Sequence, residues 1–139
     1  MFVSRSFQAD IDLLPDMTAF LEASLEEAGA GPKESFDLQL SADEIFTNIS
    51  LYAYQEKVGE VEITISSTED AITITFTDSG TPFNPLSLPQ PDITLGIDER
   101  KIGGLGIHLV RELMDTVTYQ RRDEKNILFI EKHRESTRK

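Results

Sequence analysis

EVEITISSTEDAITITFTD, residues 60–78, is the stretch from which the architecture can be read. Val61, Ile63 and Ile65 alternate with Glu60, Glu62 and Thr64; after the polar break SSTED, Ile72, Ile74 and Phe76 alternate with Thr73, Thr75 and Thr77. Successive side chains of a strand point to opposite faces, so this period of two predicts an antiparallel hairpin with one covered face. Asp78 keeps the phase of the apolar set. Its carboxylate therefore points to the covered side where the strand ends, a costly place for a charge unless it is hydrogen-bonded.

Outward from the hairpin the period changes. Met1 to Gln8, with Phe2 and Phe7, reads as a short strand. DLLPDMTAFLEASLEEAGAG reads as a helix with Pro15 in its first turn, Leu13, Met17, Phe20, Leu21 and Leu25 at helical spacing, and Gly29 with Gly31 as its stop. A second helix is predicted from near Pro32 to about Gln55, with Leu38, Ala42, Ile45, Phe46, Ile49 and Ala53 on its apolar side. Downstream, residues 81–101 hold four of the six prolines and predict a long loop, of a length usually reserved for function. A helix follows from about Gly104 to Asp115, with Leu105, Leu109, Val110, Leu113 and Met114 as core positions, then strands near 116–122 and 126–133 and a frayed tail, 135–139. This order predicts one domain, 1–139, of the α+β class: a two-layer sandwich whose mostly antiparallel, mixed sheet is covered by helices on one face. Functional positions then lie between helices and sheet.

Composition narrows the function classes. At 139 residues, with 39% hydrophobic and 27% charged, the chain is sized for one soluble domain with a real core. No stretch approaches the ~20 apolar residues of a membrane span. The opening MFVSRSFQAD lacks the apolar centre of a secretory signal, so a cytoplasmic location is expected. The absence of cysteine excludes disulfides, thiolate metal sites and cysteine nucleophiles. Residues 1–120 carry 6 Lys and Arg against 21 Asp and Glu, whereas residues 121–139 carry 7 against 4. So negative a field repels phosphate and argues against direct nucleic-acid binding; it serves either solubility or a basic protein partner.

The residues that carry chemistry cluster in two places. From Asp78 to Asp115, DSGTPFNPLSLPQPDITLGIDERKIGGLGIHLVRELMD combines an Asp-x-Gly turn, a proline-rich loop and a glycine-rich step into an amphipathic helix. Unpaired N–H groups at a helix start favour anions, so Gly103, Gly104 and Gly106 mark either a phosphate site or a simple helix start. The step is not a Walker A loop, since no Gly-Lys-Ser/Thr follows, nor a Rossmann fingerprint, since no strand leads into it. Asp78 is either a turn-forming Asx residue or the acceptor of an adenine amino group, with Gly80 admitting a flat ligand. In the second helix Glu44 and Asn48 are four apart, flanking the apolar face. They form either a surface pair or a site in which Asn48 offers an oxygen to Mg²⁺ and Glu44 acts as base. Arg100 and Lys101 either reach the phosphates or balance Asp98 and Glu99, and His108 reads as a packing or surface residue before a catalytic one.

Three motifs occur in one order: LSADEIFTNISLYAY (40–54), DSGTPFNP (78–85) and GGLGIHLVRELMD (103–115). In this combination the chain resembles the anti-sigma-factor serine kinases and related regulatory ATP-binding domains of the superfamily that includes histidine-kinase catalytic domains, type II topoisomerases and mismatch-repair ATPases. The resemblance extends over about residues 5–133. It implies a Bergerat-type fold using ATP and Mg²⁺, with Glu44 as general base or water-orienting group, Asn48 as magnesium ligand and Asp78 as the adenine-binding acid beside Gly80. Gly104 and Gly106, with Leu105 between them, match the phosphate-contacting segment. Residues of about 84–103 match a lid ordered by the triphosphate, and Arg100 is the nearest match to a catalytic lid arginine. Asn84 and Tyr52 depart from the family, where Asp and His are common. The implied function is a serine/threonine protein kinase that phosphorylates an anti-anti-sigma (STAS-type) protein and sequesters a sigma factor. Alternatives are a non-catalytic, nucleotide-gated binding module or a stand-alone histidine-kinase-like catalytic domain; homodimerisation stays open.

Overall fold

The alternation of residues 60–78 forms the hairpin it predicts, at the centre of a five-stranded sheet. The computed structural model describes residues 1–54, 59–87 and 104–134, and of residues 87 and 104–106 the backbone alone. In chain order the elements are β1 (Phe2–Gln8), α1 (Leu14–Glu27), α2 (Pro32–Asn48), β2 (Glu60–Ser67), β3 (Ala71–Asp78), α3 (Gly104–Leu113), β4 (Thr116–Arg122) and β5 (Lys125–His133). Residues 88–103, which hold Arg100 and most of the expected lid, and the tail 135–139 lie outside the described residues. Among the described residues no helix is long and apolar enough to cross a membrane.

The sheet order is β1-β2-β3-β5-β4, and every pairing is antiparallel where a mixed sheet was expected. Two successive helices return the chain so that β2 runs against β1. The single helix α3 makes β4 run with β3, but β5 folds back and inserts between them, so the two parallel strands never pair. The β4–β5 turn is tight, with Asp123 and Glu124 both at positive φ (53° and 64°), the conformation that matches strand twist in two-residue hairpins.

Local sequence sets the helix ends. Pro15 sits in the first turn of α1, which closes on Gly29 at φ 72°. The N–H groups of Gly29 and Ala30 return to the carbonyls of Glu26 and Leu25 (3.0 Å each), a Schellman arrangement. The guanidinium of Arg134 donates to Ala28 O (2.7 Å), Gly29 O (3.2 Å) and Thr68 O (2.9 Å), tying this helix end to the β2–β3 turn. At the start of α2, the Glu34 carboxylate accepts from Gly31 N–H at 2.6 Å. The helix runs on as predicted, but its last turn, Ile49–Ala53, is π-helical. The wider turn leaves Ala53 O to accept from Thr81 N (2.8 Å) and Thr81 Oγ1 (3.1 Å).

Val61, Ile63, Ile65, Ile72, Ile74 and Phe76 are fully buried against Met17, Leu21, Leu38, Ile45 and Phe46 of the helices. The buried stripe of α3 and the residue that follows it is Ile107, Val110 and Met114, whose i, i+3, i+7 spacing defines one face. Leu109, expected in the core, falls off that face and is 39% exposed. The layers are pinned by one buried acid. Asp37 of α2 accepts from Lys132 of β5 and from Lys33, both at 3.0 Å, while Lys132 also donates to Leu113 O at the end of α3 (2.7 Å).

Burial pushes the Asp37 carboxyl up, but the hydrogen bonds and charges of Lys33 and Lys132 outweigh it and hold the group below its ordinary value. A lowered carboxylate stabilises the fold above the ordinary aspartate range, and the contribution is lost as pH falls through the lowered folded value. Asp37→Asn should cost about 3 kcal/mol at neutral pH, the lower side of a broken buried pair because Lys132 keeps a second acceptor. The variant's stability should also vary less with pH on the acid side. Urea unfolding of both proteins at several acid pH values tests this: parallel pH profiles would exclude the assigned clamp.

Candidate nucleotide site

α2 presents two chemistries along one side. Asn48 is fully buried, and its Nδ2 donates to the Glu44 carbonyl at 2.9 Å. The surface pair of side chains envisaged from spacing does not form; the amide bonds to backbone instead. Because the carbonyl can only accept, the amide orientation is settled, and Oδ1 is left buried without a partner among the described residues. Such an atom forfeits about 1–3 kcal/mol of hydration. Ser41 Oγ and Ser50 Oγ are also unpartnered among the described residues. An amide oxygen held dry and unpaired fits the requirement of Mg²⁺ on a triphosphate, which takes most ligands from phosphate and water. No group of three or more His, Asp or Glu gathers as a metal centre among the described residues.

Glu44, one turn earlier, is half-buried. Burial raises its carboxyl above the ordinary range, and the neighbouring Asp43 adds to the rise. Asp43 is itself raised by burial, against a 3.0 Å hydrogen bond from Thr18. A raised carboxylate is a better proton acceptor when ionised, the property a general base needs.

Asp78 ends β3 at 4% exposure, facing the helical layer as its phase predicts. Its Oδ1 accepts from Gly80 N and from Asn126 Nδ2, both at 2.9 Å. The Asx turn is therefore real, and it coexists with a second donor. Burial pushes the Asp78 carboxyl up, while Asn126, Gly80 and the charge of Arg121 oppose the shift. Arg121 Nη1 donates to Gly80 O at 2.8 Å. Tyr54 closes the other side, its hydroxyl donating to Glu60 O (2.6 Å) and accepting from Ser79 N (2.8 Å). A Cβ on Gly80 would stand 2.3 Å from Ala53 O and 2.9 Å from Ala53 Cβ. Close approach is thus needed at Gly80 by the end of α2's π turn, which joins the Asp78 turn to the helix carrying Asn48.

Further along that helical edge, Tyr52 meets Phe83 with ring centroids 5.4 Å apart. The first turn of α3 starts at Gly104, so the backbone of Gly104, Leu105 and Gly106 forms the helix start that the glycine pattern marks, on a helix packed against α2. His108 is half-buried on α3. The stem of the expected lid is built: Pro85–Ser87 form a 3₁₀ turn, Asn84 Oδ1 accepts from Leu86 N (2.9 Å), and Arg111 donates to Leu86 O. Asn126 was missed by sequence reading. Its signal was a buried-phase Asn opening a strand, but its place opposite Asp78 depends on β5 pairing with β3.

The description "Histidine kinase-like ATPase domain" matches residues 7–132. The serine/threonine-protein kinase BtrW of Bordetella bronchiseptica is 30% identical over 99 residues, 70% of each chain. The serine-protein kinases RsbW of Bacillus mycoides and Bacillus cereus are each 34% identical over 85 residues, which are 58% of this chain and 53% of theirs. The chain thus spans about half the length of the RsbW relatives it matches.

Gly80→Ala should destabilise the protein by about 3 kcal/mol, the upper side of overpacking, because the obstructing atoms are backbone. Ser79→Ala, at an exposed neighbour, should stay within about 0.5 kcal/mol. Denaturant unfolding of both variants checks the contrast; equal stabilities would mean the Ala53 contact is not a constraint.

Proposed function

The chain belongs to the histidine kinase-like ATPase domain family, and from that premise we propose that it is an ATP-dependent serine/threonine protein kinase acting in the cytoplasm. Its substrate is an anti-anti-sigma (STAS-type) protein, and it sequesters a sigma factor in alternation. The observation that carries the reading is the orphaned, fully buried oxygen of Asn48, one helical turn from a half-buried carboxylate. The names of the relatives support a protein kinase over other users of the fold.

In this reading Asp78 accepts the adenine amino group, with Gly80 beside it. The N–H groups of Gly104, Leu105 and Gly106 receive phosphate oxygens at the positive end of α3. Arg100 would join them from the lid. Asn48 Oδ1 would hold Mg²⁺, which when bound neutralises charge on the phosphoryl oxygens. Glu44 takes the proton from the attacking hydroxyl of the partner's serine or threonine as the γ-phosphoryl group moves to that oxygen and ADP leaves. Phosphoryl transfer needs positioning and charge neutralisation more than covalent participation, so this small set is sufficient. The acidic surface of residues 1–120 favours a partner with a basic face.

Glu44→Ala should lower phosphate transfer to the partner ~10²-fold or more while leaving ATP affinity nearly unchanged. Asn48→Ala should weaken Mg²⁺-ATP far more than adenosine. Labelled ATP, Mg²⁺ and the proteins encoded beside this one provide the transfer assay, and calorimetry the affinities. Wild-type transfer by Glu44→Ala would remove the base from the mechanism, and absence of nucleotide binding by the wild type would remove the whole reading.

A further inference from the structure

Asn126 spends its entire hydrogen-bonding capacity on its neighbours. Nδ2 donates to Asp78 Oδ1 (2.9 Å) and Thr81 O (2.8 Å), and Oδ1 accepts from Phe83 N (3.2 Å) and the Tyr119 hydroxyl. Two donors and two lone pairs are all that an amide has. The side chain cannot be turned over, because Phe83 N–H can only donate and the Thr81 carbonyl can only accept. The residue is 4% exposed and stands directly opposite Asp78 in the β3–β5 ladder. On the carboxylate, both bonds fall on Oδ1; Oδ2 takes none among the described residues.

We propose that Asn126 is a positioning residue which saturates Asp78 Oδ1, offers nothing of its own to a ligand, and so leaves Asp78 Oδ2 as a lone acceptor that selects a 6-amino purine over its 6-oxo counterpart. The inference rests on the reading of Asp78 as the base-recognising acid. A carboxylate oxygen aimed at the base edge accepts from an amino group but repels the carbonyl oxygen of hypoxanthine. A carboxylate free to rotate would present no acceptor in a fixed direction to the base edge. Asn126 prevents that rotation, since its Nδ2 is itself held by Thr81 O and its Oδ1 by two donors. The other charged or titratable groups against Asp78 and Asn126 are Arg121, Tyr54 and Tyr119.

The test is calorimetry with ATP, ITP and ADP on the wild type and on Asn126→Asp. The substitution keeps the shape but sets an oxygen against Asp78 Oδ1 and Thr81 O, so the two carboxyls repel each other unless they share a proton. The ATP:ITP preference should fall about tenfold or more at about pH 8, the scale of a lost hydrogen bond to a charged group. It should return in part at about pH 6, where the shared proton restores a donor between the carboxyls. The ATP:ADP ratio should stay at the wild-type value, because the phosphate end is untouched. An unchanged ATP:ITP preference at both pH values would overturn the inference, and so would an equal fall in the ATP:ADP ratio, the sign that the substitution acts on the phosphate end rather than on base recognition. If Asn126→Asp does not fold, Tyr119→Phe removes one donor to the amide without approaching the base; it should lower the ATP:ITP preference at least about twofold, and no change would be fatal to the proposal. A wild type that binds ATP and ITP equally would instead strike the base-recognition role of Asp78.

Discussion

A carboxylate at the end of an apolar strand, facing a helical layer, has to be supplied with donors, and those of Asp78 come from separate parts of the chain. Gly80 N–H comes from its own turn, Asn126 Nδ2 from β5, and the charge of Arg121 from β4. Each requirement propagates. Asn126 reaches Asp78 only because β5 inserts between β3 and β4, and Arg121 holds the turn through Gly80 O. The turn in turn lies so close to the π-helical end of α2 that only glycine fits. Satisfying one buried charge therefore aligns the sheet end, the DSG turn and α2.

The same helix carries the stability and the unsatisfied chemistry. Leu38, Ile45 and Phe46 are fully buried, each contributing about 1.5–3 kcal/mol by removal from water. Against this stands the unpartnered Asn48 Oδ1, a loss that one such side chain offsets. The ion cluster of Asp37, Lys33 and Lys132 holds the opposite end of α2 to β5 and to the last turn of α3. The end that bears Asn48 can then leave a polar atom unpaired without loosening the layer. Unpaired buried polar groups are uncommon in native structures, and they concentrate where a ligand completes them.

Much of this was legible before folding. The alternation from Val61 to Phe76 located the hairpin and its buried face, and the phase of Asp78 placed its carboxylate under the helices. Gly29 and Pro15 marked the ends of α1, and the three glycines up to Gly106 marked the start of α3. These are local signals: steric limits on φ and the direction of successive side chains depend on neighbours in the chain. Leu109 shows where such signals lapse. In a short helix with five apolar candidates, periodicity admits two adjacent faces, and packing, chiefly against α2, chose the one led by Ile107.

By itself, then, the sequence determined which segments are strands and helices, about where they stop and which face each central strand buries, because backbone sterics and hydrophobic period act over a few residues. Tertiary structure alone decided that β5 lies between β3 and β4, that Asn126 faces Asp78, that Gly80 yields space to Ala53 rather than only to a ligand, and that Asn48 is left with a dry, unpaired oxygen. Those outcomes join residues 48 positions apart in the case of Asp78 and Asn126. They depend on how twisted layers fill the space between them and on which donors arrive there, and no local pattern in the chain encodes either.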